Sequence, residues 1–344
     1  MRIGAYLACA LNLLCAAAGA AVADPVADFY HGRPLYFVVG SAAGGGYDVY
    51  ARLLSRFLVR HIAGRPVAVI QNMPGASSLV MANHLYNVAA RDGSVLGFAN
   101  REVFFEPLWH NPQARFDGRR FTWVGSMNKD VATCVAWFTS GVHTLEETRE
   151  REMLLGSTSP TSSGTTLPKL LNGVLGTRFR LVLGYEAVDR IGIAMENGEV
   201  EGTCGATWAN IKSARRDWLD HGKITVIAQL ALTKHPELPN VPLAIAAARN
   251  DSERQALDLV FAPQAMGRPV AAPPGVPKDR VAALRAAFEA TMVDADFVAA
   301  AAQEAIEITP MSGAEVGATV DRLYAVPGPV VQRVKELIGA GSGG

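Results

Sequence analysis

Leu35-Tyr36-Phe37-Val38-Val39-Gly40-Ser41-Ala42-Ala43-Gly44-Gly45-Gly46-Tyr47-Asp48-Val49-Tyr50-Ala51-Arg52 carries the decision about the fold. Leu35 to Val39 is a short run of β-branched and aromatic residues and reads as a strand, the glycines after it read as a turn, and a helix follows from Asp48. In that helix Val49, Leu53, Leu54, Phe57 and Leu58 fall on one face, while Arg52, Ser55, Arg56 and Arg60 fall on the other. Asp48 suits the first turn, where a carboxylate faces the positive end of the helix dipole. The strand, turn and helix then recur. Val67 to Ile70 is the next strand, Asn72-Met73-Pro74-Gly75 the next turn, Ala76 to Val88 the next helix, and Val95 to Ala99 a further strand. Such alternation gives an α/β fold with mostly parallel strands.

A second block starts around Phe121. Val131 to Phe138 and Met153 to Leu155 read as strands, and the latter runs into the polar loop Gly156 to Thr166, which precedes a helix from Leu167 to Leu175. Strands at Phe179 to Leu183, Val200 to Cys204 and Ile224 to Gln229, with a helix at Ala187 to Glu196, continue the pattern. A Pro-rich connection (Pro236, Pro239, Pro242) leads to a helical C-terminal region, where Val281, Leu284, Phe288 and Met292 repeat at helical spacing.

The chain has 344 residues, enough for two domains, with 49% hydrophobic and 19% charged residues. Thirty-two Lys and Arg balance 32 Asp and Glu, which excludes the basic footprint of a nucleic-acid binder. Four cysteines are too few for a disulfide scaffold, and no zinc-type spacing is present, so neither metal nor cofactor is expected. Met1-Arg2, the uncharged Ala/Leu-rich stretch up to Ala23 and the small-x-small Ala21-Val22-Ala23 read as a signal peptide cleaved near Ala23. The exported chain would start at Asp24 with 321 residues, 31 basic against 32 acidic, and two cysteines, Cys134 and Cys204. In an oxidising compartment these two either form one disulfide or remain as buried thiols.

Two small-residue loops each follow a strand and open a helix, where backbone N–H groups and the helix dipole attract an anion without any charged side chain. Gly44-Gly45-Gly46 lets a ligand approach the backbone, and Thr161, Ser162, Ser163, Thr165 and Thr166 offer hydroxyls. The plainer reading is that the glycines close turns and the hydroxyls cap a helix. Other chemistry fits less well. The first loop lacks Gly-x-Gly-x-x-Gly spacing and a P-loop Lys, no Gly-x-Ser-x-Gly elbow exists, and Ser126-Met127-Asn128-Lys129 matches Ser-x-x-Lys without an accompanying Lys-Thr-Gly. The seven histidines are scattered, and helix capping accounts for Asp48 without a general-base role.

Val38 to Arg52 resembles the first binding loop and helix of the Bug receptors, the periplasmic solute-binding subunits of tripartite tricarboxylate transporters. Asn72-Met73-Pro74-Gly75-Ala76, Asp92-Gly93-Ser94-Val95-Leu96, Ser157 to Leu167, Gly198-Glu199-Val200-Glu201 and Pro273-Pro274-Gly275-Val276-Pro277 follow in the family's order. The resemblance implies a type II periplasmic-binding-protein fold, two α/β domains around a ligand cleft. Domain 1 would be 24–124 plus 231–344, and domain 2 would be 125–230. It also implies a non-enzymatic receptor that captures a small carboxylate, with membrane permease subunits as partners. Sensing through a histidine kinase, or an exported hydrolase or transferase on the same fold, are the alternatives. Carried over residue by residue, Ala42, Gly45 and Asp48 would form one wall of the cleft, Ser159, Ser163 and Thr165 the other, and Ala76, Cys204, Gly205 and Ala206 would lie near the floor. Departures are Gly40-Ser41 in place of Pro and an aromatic, Tyr47 in place of a small hydroxyl residue, and Thr166 in place of His. Gly184-Tyr185-Glu186-Ala187 stands in place of Pro-Tyr-Lys-Gly, keeping Tyr185 as a candidate contact while reversing one charge.

Overall fold

The computed structural model describes residues 24–160 and 162–339; the expected signal peptide and Thr161 lie outside the described residues. The strands are β1 (Pro34–Val39), β2 (Val67–Asn72), β3 (Val95–Phe98), β4 (Thr122–Ser126), β5 (Ala132–Trp137), β6 (Met153–Gly156), β7 (Phe179–Val182), β8 (Gly202–Thr207), β9 (Ile224–Leu230), β10 (Pro269–Ala272) and β11 (Met311–Ser312). They form two sheets, ordered β11-β4-β10-β3-β1-β2 and β7-β6-β8-β5-β9. In the first, β1 runs parallel to β2 and β3, with Pro34 opposite Val67 and Tyr36 opposite Val95, and β10 is antiparallel between β3 and β4. In the second, β6 is parallel to β7 and β8, and β5 is antiparallel to both β8 and β9. The molecule is therefore a two-sheet α/β protein of the expected class.

Helices cover both faces of these sheets, as parallel strands require. Leu35, Phe37 and Val39 of β1 alternate onto one face, where Ala51, Leu53, Leu54 and Leu58 of helix Gly46–Leu58 meet Phe288 and Phe297; Val38 points to the other face, towards Leu79, Met81 and Leu85. In the second sheet Val135 and Trp137 pack with Ile191, Met195 and Trp218, while Cys134 and Ala136 point the opposite way. Each fully buried Leu or Phe contributes roughly 1.5–3 kcal/mol.

Strand direction fixes how the two halves meet. The carboxyl ends of β1, β3 and β4 and the amino end of β10 share one edge of the first sheet, while those of β6, β8 and β9 and the amino end of β5 share one edge of the second. Residues 127–131 join the end of β4 to the start of β5, and residues 231–268 join the end of β9 to the start of β10. Both connections leave a carboxyl edge of one sheet and enter the matching edge of the other, so these edges flank the crossover. Open α/β sheets bind ligands at such edges. The chain also returns to the second half near its C-terminus: helix Gly328–Ile338 lies on helix Ser163–Leu175, with Leu337 packed over Gly173.

Two helix starts differ from the sequence reading by three residues or more. The helix expected from Ala76 begins at Leu79, because Ala76, Ser77 and Ser78 hold left-handed φ values of 44°, 51° and 78°. Each such residue costs of order 1–3 kcal/mol. The Ser78 hydroxyl offsets part of this by donating to the Gly40 carbonyl at 2.9 Å and accepting the Asn100 N–H at 3.0 Å, which ties the turn after β2 to the ends of β1 and β3. Conversely, the helix expected from Leu167 already starts at Ser163, taking the hydroxyl residues into its first turn. Thr122–Ser126, near the start of the second sequence block, belongs to the first sheet.

Candidate functional site

The loop after β1 delivers the chain into helix Gly46–Leu58 with Gly45 as N-cap, in extended conformation (φ −70°, ψ 161°) and with no side chain capping the helix. Its N–H donates to the Ala42 carbonyl at 3.1 Å, and Ala42 itself is exposed. Asp48 lies inside the loop, only 1% exposed. Its carboxylate accepts from the Gly44 N–H at 2.8 Å, Arg52 Nε at 2.7 Å and Asn72 Nδ2 at 2.8 Å. Burial is the largest single influence on this carboxyl and acts to raise its pKa, but the hydrogen bonds from Arg52, Gly44 and Asn72 with the Arg52 charge outweigh it and hold the pKa at about 2. Asn72 also donates to the Ser41 carbonyl at 2.9 Å. The Asp48 carboxylate is thus spent on shaping the loop.

The loop after β6 is shaped without ions. The buried Ser157 hydroxyl meets those of Ser162 at 2.9 Å and Thr165 at 2.7 Å, and the Ser159 carbonyl accepts from Ser162 Oγ at 2.9 Å and Thr165 Oγ1 at 2.7 Å. Thr166 Oγ1 donates back to the Ser162 carbonyl at 3.2 Å. Ser162 is the N-cap of helix Ser163–Leu175 and, like Gly45, provides no side-chain cap; Ser163 is exposed, its hydroxyl 3.5 Å from the Gly205 carbonyl. Gly205 has φ +104°, and a Cβ there would fall 2.9 Å from the Ser163 carbonyl carbon and oxygen, so only glycine lets β8 approach this helix end. The Ala206 carbonyl accepts from Thr133 Oγ1 at 3.1 Å. The helices starting at Trp208, Asp251 and Ala295 are capped by the side chains of Thr207, Asn250 and Asp294, whereas those starting at Leu79, Val188 and Lys278 also begin without a side-chain cap.

Cys134 and Cys204 are register partners in β5 and β8 and form a disulfide, 70 residues apart in the chain, directly before Gly205. Ala76 is exposed in the left-handed turn at the first sheet's carboxyl edge. The Tyr185 ring lies near Gly156 at the end of β6; burial chiefly, together with the charge of Glu199 and a hydrogen bond to it, raises the tyrosine pKa. Ser126 is buried, its hydroxyl donating to the Asn128 carbonyl at 3.2 Å. Among the described residues no group of His, Cys, Asp or Glu is arranged to hold a metal ion, and no helix is long and apolar enough to cross a membrane.

A buried polar cluster at the crossover was not legible from motifs. Asp130 Oδ2 accepts from Arg101 Nη1 at 2.7 Å and from Arg268 Nη1 at 3.1 Å. Arg101 is completed by Gln264 at 2.5 Å and Glu102 at 2.9 Å. Burial is the largest influence on Arg101 and opposes its charge, yet Glu102, Tyr47 and Asp130 together raise its pKa. Tyr47, from the first turn of helix Gly46–Leu58, reaches over the sheet edge so that its hydroxyl donates to Asn100 Oδ1 and accepts the Arg101 N–H, both at 3.3 Å. These residues are far apart in sequence and share no periodicity. The one available signal was Tyr47, bulky where a small residue was expected.

No family model and no curated protein matches the chain. Solved structures do. A TctC solute-binding protein from Polaromonas is 18% identical, with a TM-score of 0.71 over 88% of this chain and 98% of the other. The periplasmic binding protein BugD is 18% identical, with a TM-score of 0.59 over 90% and 98%. MatC from Rhodopseudomonas palustris with bound malate is 20% identical, with a TM-score of 0.57 over 89% and 99%. The chain has the two-domain fold of these periplasmic solute-binding proteins.

Proposed function

We propose that this chain is a periplasmic solute-binding protein that captures a small carboxylate between its two halves and delivers it to the membrane subunits of a tripartite tricarboxylate-type transporter. One observation carries the reading: at each of the two carboxyl edges that flank the crossover, a 13-residue helix opens directly from a small-residue loop without a side-chain cap. Free first-turn N–H groups on both walls are an anion receptor that needs no charged side chain. The malate in MatC, on the same fold, supports a carboxylate as the ligand class.

In this reading the halves are 24–124 with 231–344, and 125–230, save that Gly125 and Ser126 complete β4 of the first sheet, and hinge closure is the functional step. The backbone at Ala42 and Gly45 forms one wall, with Asp48 holding its shape. Ser163 supplies an exposed hydroxyl on the other wall, where Ser159 and Thr165 hold the loop, and Ala76, Gly205, Ala206 and Tyr185 line the edges. The protein binds and releases its ligand chemically unchanged.

Thermal-shift screening of mono-, di- and tricarboxylates, followed by calorimetry and mass spectrometry of the recovered ligand, tests this. A ligand at 100 times its dissociation constant stabilises the fold by about 2.7 kcal/mol. At least one carboxylate is expected to do so and to be recovered intact. Stabilisation by neutral or cationic solutes alone, or conversion of the ligand, overturns the reading.

A further inference from the structure

We propose that Arg268 is a ligand-contacting residue whose guanidinium receives a second anionic group of the ligand, so that the cleft selects dicarboxylates over monocarboxylates. This rests on the carboxylate-receptor reading and adds to it a charged contact that the uncapped helices alone do not supply.

Position comes first. Arg268 immediately precedes β10, whose amino end shares the carboxyl edge of β1, β3 and β4, so it stands beside the first loop. Its Nη2 lies 3.9 Å from where a Cβ would sit on Gly46, the first residue of the uncapped helix. The guanidinium carbon lies 4.8 Å from the Tyr47 ring centroid and 4.6 Å from that of Tyr50, and two rings one turn apart fix its orientation.

Hydrogen bonding separates this arginine from its neighbour. Arg101 uses all three guanidinium nitrogens, on Glu102, Asp130 and Gln264, and is a finished structural group. Arg268 makes its side-chain hydrogen bonds through Nη1 alone, to Asp130 at 3.1 Å and the Gly267 carbonyl at 2.7 Å, and its Nε is sealed from water without a partner. Its counter-ion is shared: the Asp130 oxygen it uses lies closer to Arg101. A guanidinium with unmet donors in a desolvated place is costly, and a planar carboxylate fits its fork. The side chain remains 18% exposed, which leaves a solute access to it.

The two walls therefore differ in charge. Helix Ser163–Leu175 offers amides and hydroxyls to one carboxylate, and Gly46 with Arg268 offers amides and a fixed cation to the other. A diacid satisfies both, whereas its half-amide leaves the cation unpaired.

The test compares diacids with half-amides of the same chain length, such as succinate and succinamate, by calorimetry on the wild-type chain, Arg268→Met and Arg268→Lys. Wild type is expected to prefer a diacid by roughly tenfold or more, the order of a charge-assisted hydrogen bond. Arg268→Met should reduce that preference to less than threefold by weakening diacid binding, and Arg268→Lys should retain part of it. Nitrogen-15 NMR of the wild-type chain gives a readout independent of any variant's folding: the Arg268 Nε resonance should move on adding the diacid and stay in place with the half-amide. An unmoved resonance, or equal diacid preference in wild type and a folded Arg268→Met, overturns the role of Arg268 and leaves the carboxylate-receptor reading standing. Failure of every acid and half-amide to bind wild type overturns both.

Discussion

The loop after β1 is organised around an ionised carboxylate, and the loop after β6 around a chain of neutral hydroxyls beside a disulfide. Asp48 gathers Gly44, Arg52 and Asn72 about one buried charge. Ser157, Ser162 and Thr165 close on one another and on the Ser159 carbonyl, with Cys134–Cys204 just behind. Both schemes leave the first turn of the following helix without a side-chain cap, so similar helix starts are reached through different chemistry. The lesson is that the two walls should fail under different conditions, the first in acid and the second under reduction.

The largest expected effect is on the second wall. Replacing both cysteines by alanine frees a 70-residue loop in the unfolded chain and should lower stability by about 4 kcal/mol in the chain-entropy model, read by urea denaturation against the oxidised wild type. An unchanged midpoint would remove the asymmetry between the walls. Next, Gly205→Val meets both the positive φ and the Ser163 backbone, and should cost about 2–5 kcal/mol and abolish ligand binding. Equal binding by this variant would mean that the helix end is not held where β8 presses on it.

Asp48→Asn strikes the first wall and should cost about 1–3 kcal/mol, with weaker binding. The folded pKa of Asp48, about 2, lies below its unfolded value near 3.8. Its contribution is therefore complete above roughly pH 4 and is lost as the pH falls through about 2. The wild-type stability curve should drop across that acid window, and the difference from Asp48→Asn should shrink with it. A constant difference would show that Asp48 acts through shape alone. The smallest effect belongs to Thr165→Val, which removes one buried hydroxyl from a network where Ser157 keeps Ser162 as a partner, for about 1 kcal/mol. This variant should be indifferent to acid, which sharpens the contrast with Asp48.

The same contrast explains what was readable in the sequence. β1 and helix Gly46–Leu58 were legible because apolar residues recur at the spacing each element buries. The turn at Ala76 to Ser78 was read as helix, since Ala and Ser carry no mark of a left-handed backbone; its cause is the Ser78 bridge to Gly40 and Asn100, 38 and 22 residues away. β10 escaped notice because Pro269-Val270-Ala271-Ala272 is short and lacks bulky β-formers. Within the candidate site, the two loops could be picked out from glycine and hydroxyl content, but not the partner of each group. Asp48 and Thr165 were placed on the walls as ligand contacts, and the structure gives their polar atoms partners within the protein, Asp48 on Gly44, Arg52 and Asn72 and Thr165 on Ser157 and Ser159. Arg101, Asp130 and Arg268 are brought together only by the crossover, so no local spacing announces them.

The helix at the end of the chain adds a mechanical condition. Helix Gly313–Tyr324 packs on β4 of the first sheet, while Gly328–Ile338 packs on helix Ser163–Leu175 of the second half, with Ala325-Val326-Pro327 between them. If the two halves close on a ligand as proposed, residues 325–327 add a third connection between them beside 127–131 and 231–268, and helix Gly328–Ile338 also packs on helix Asp251–Phe261. The length of this third connection would then limit how far the halves separate, and shortening or stiffening residues 325–327 would change that separation without touching a proposed binding residue.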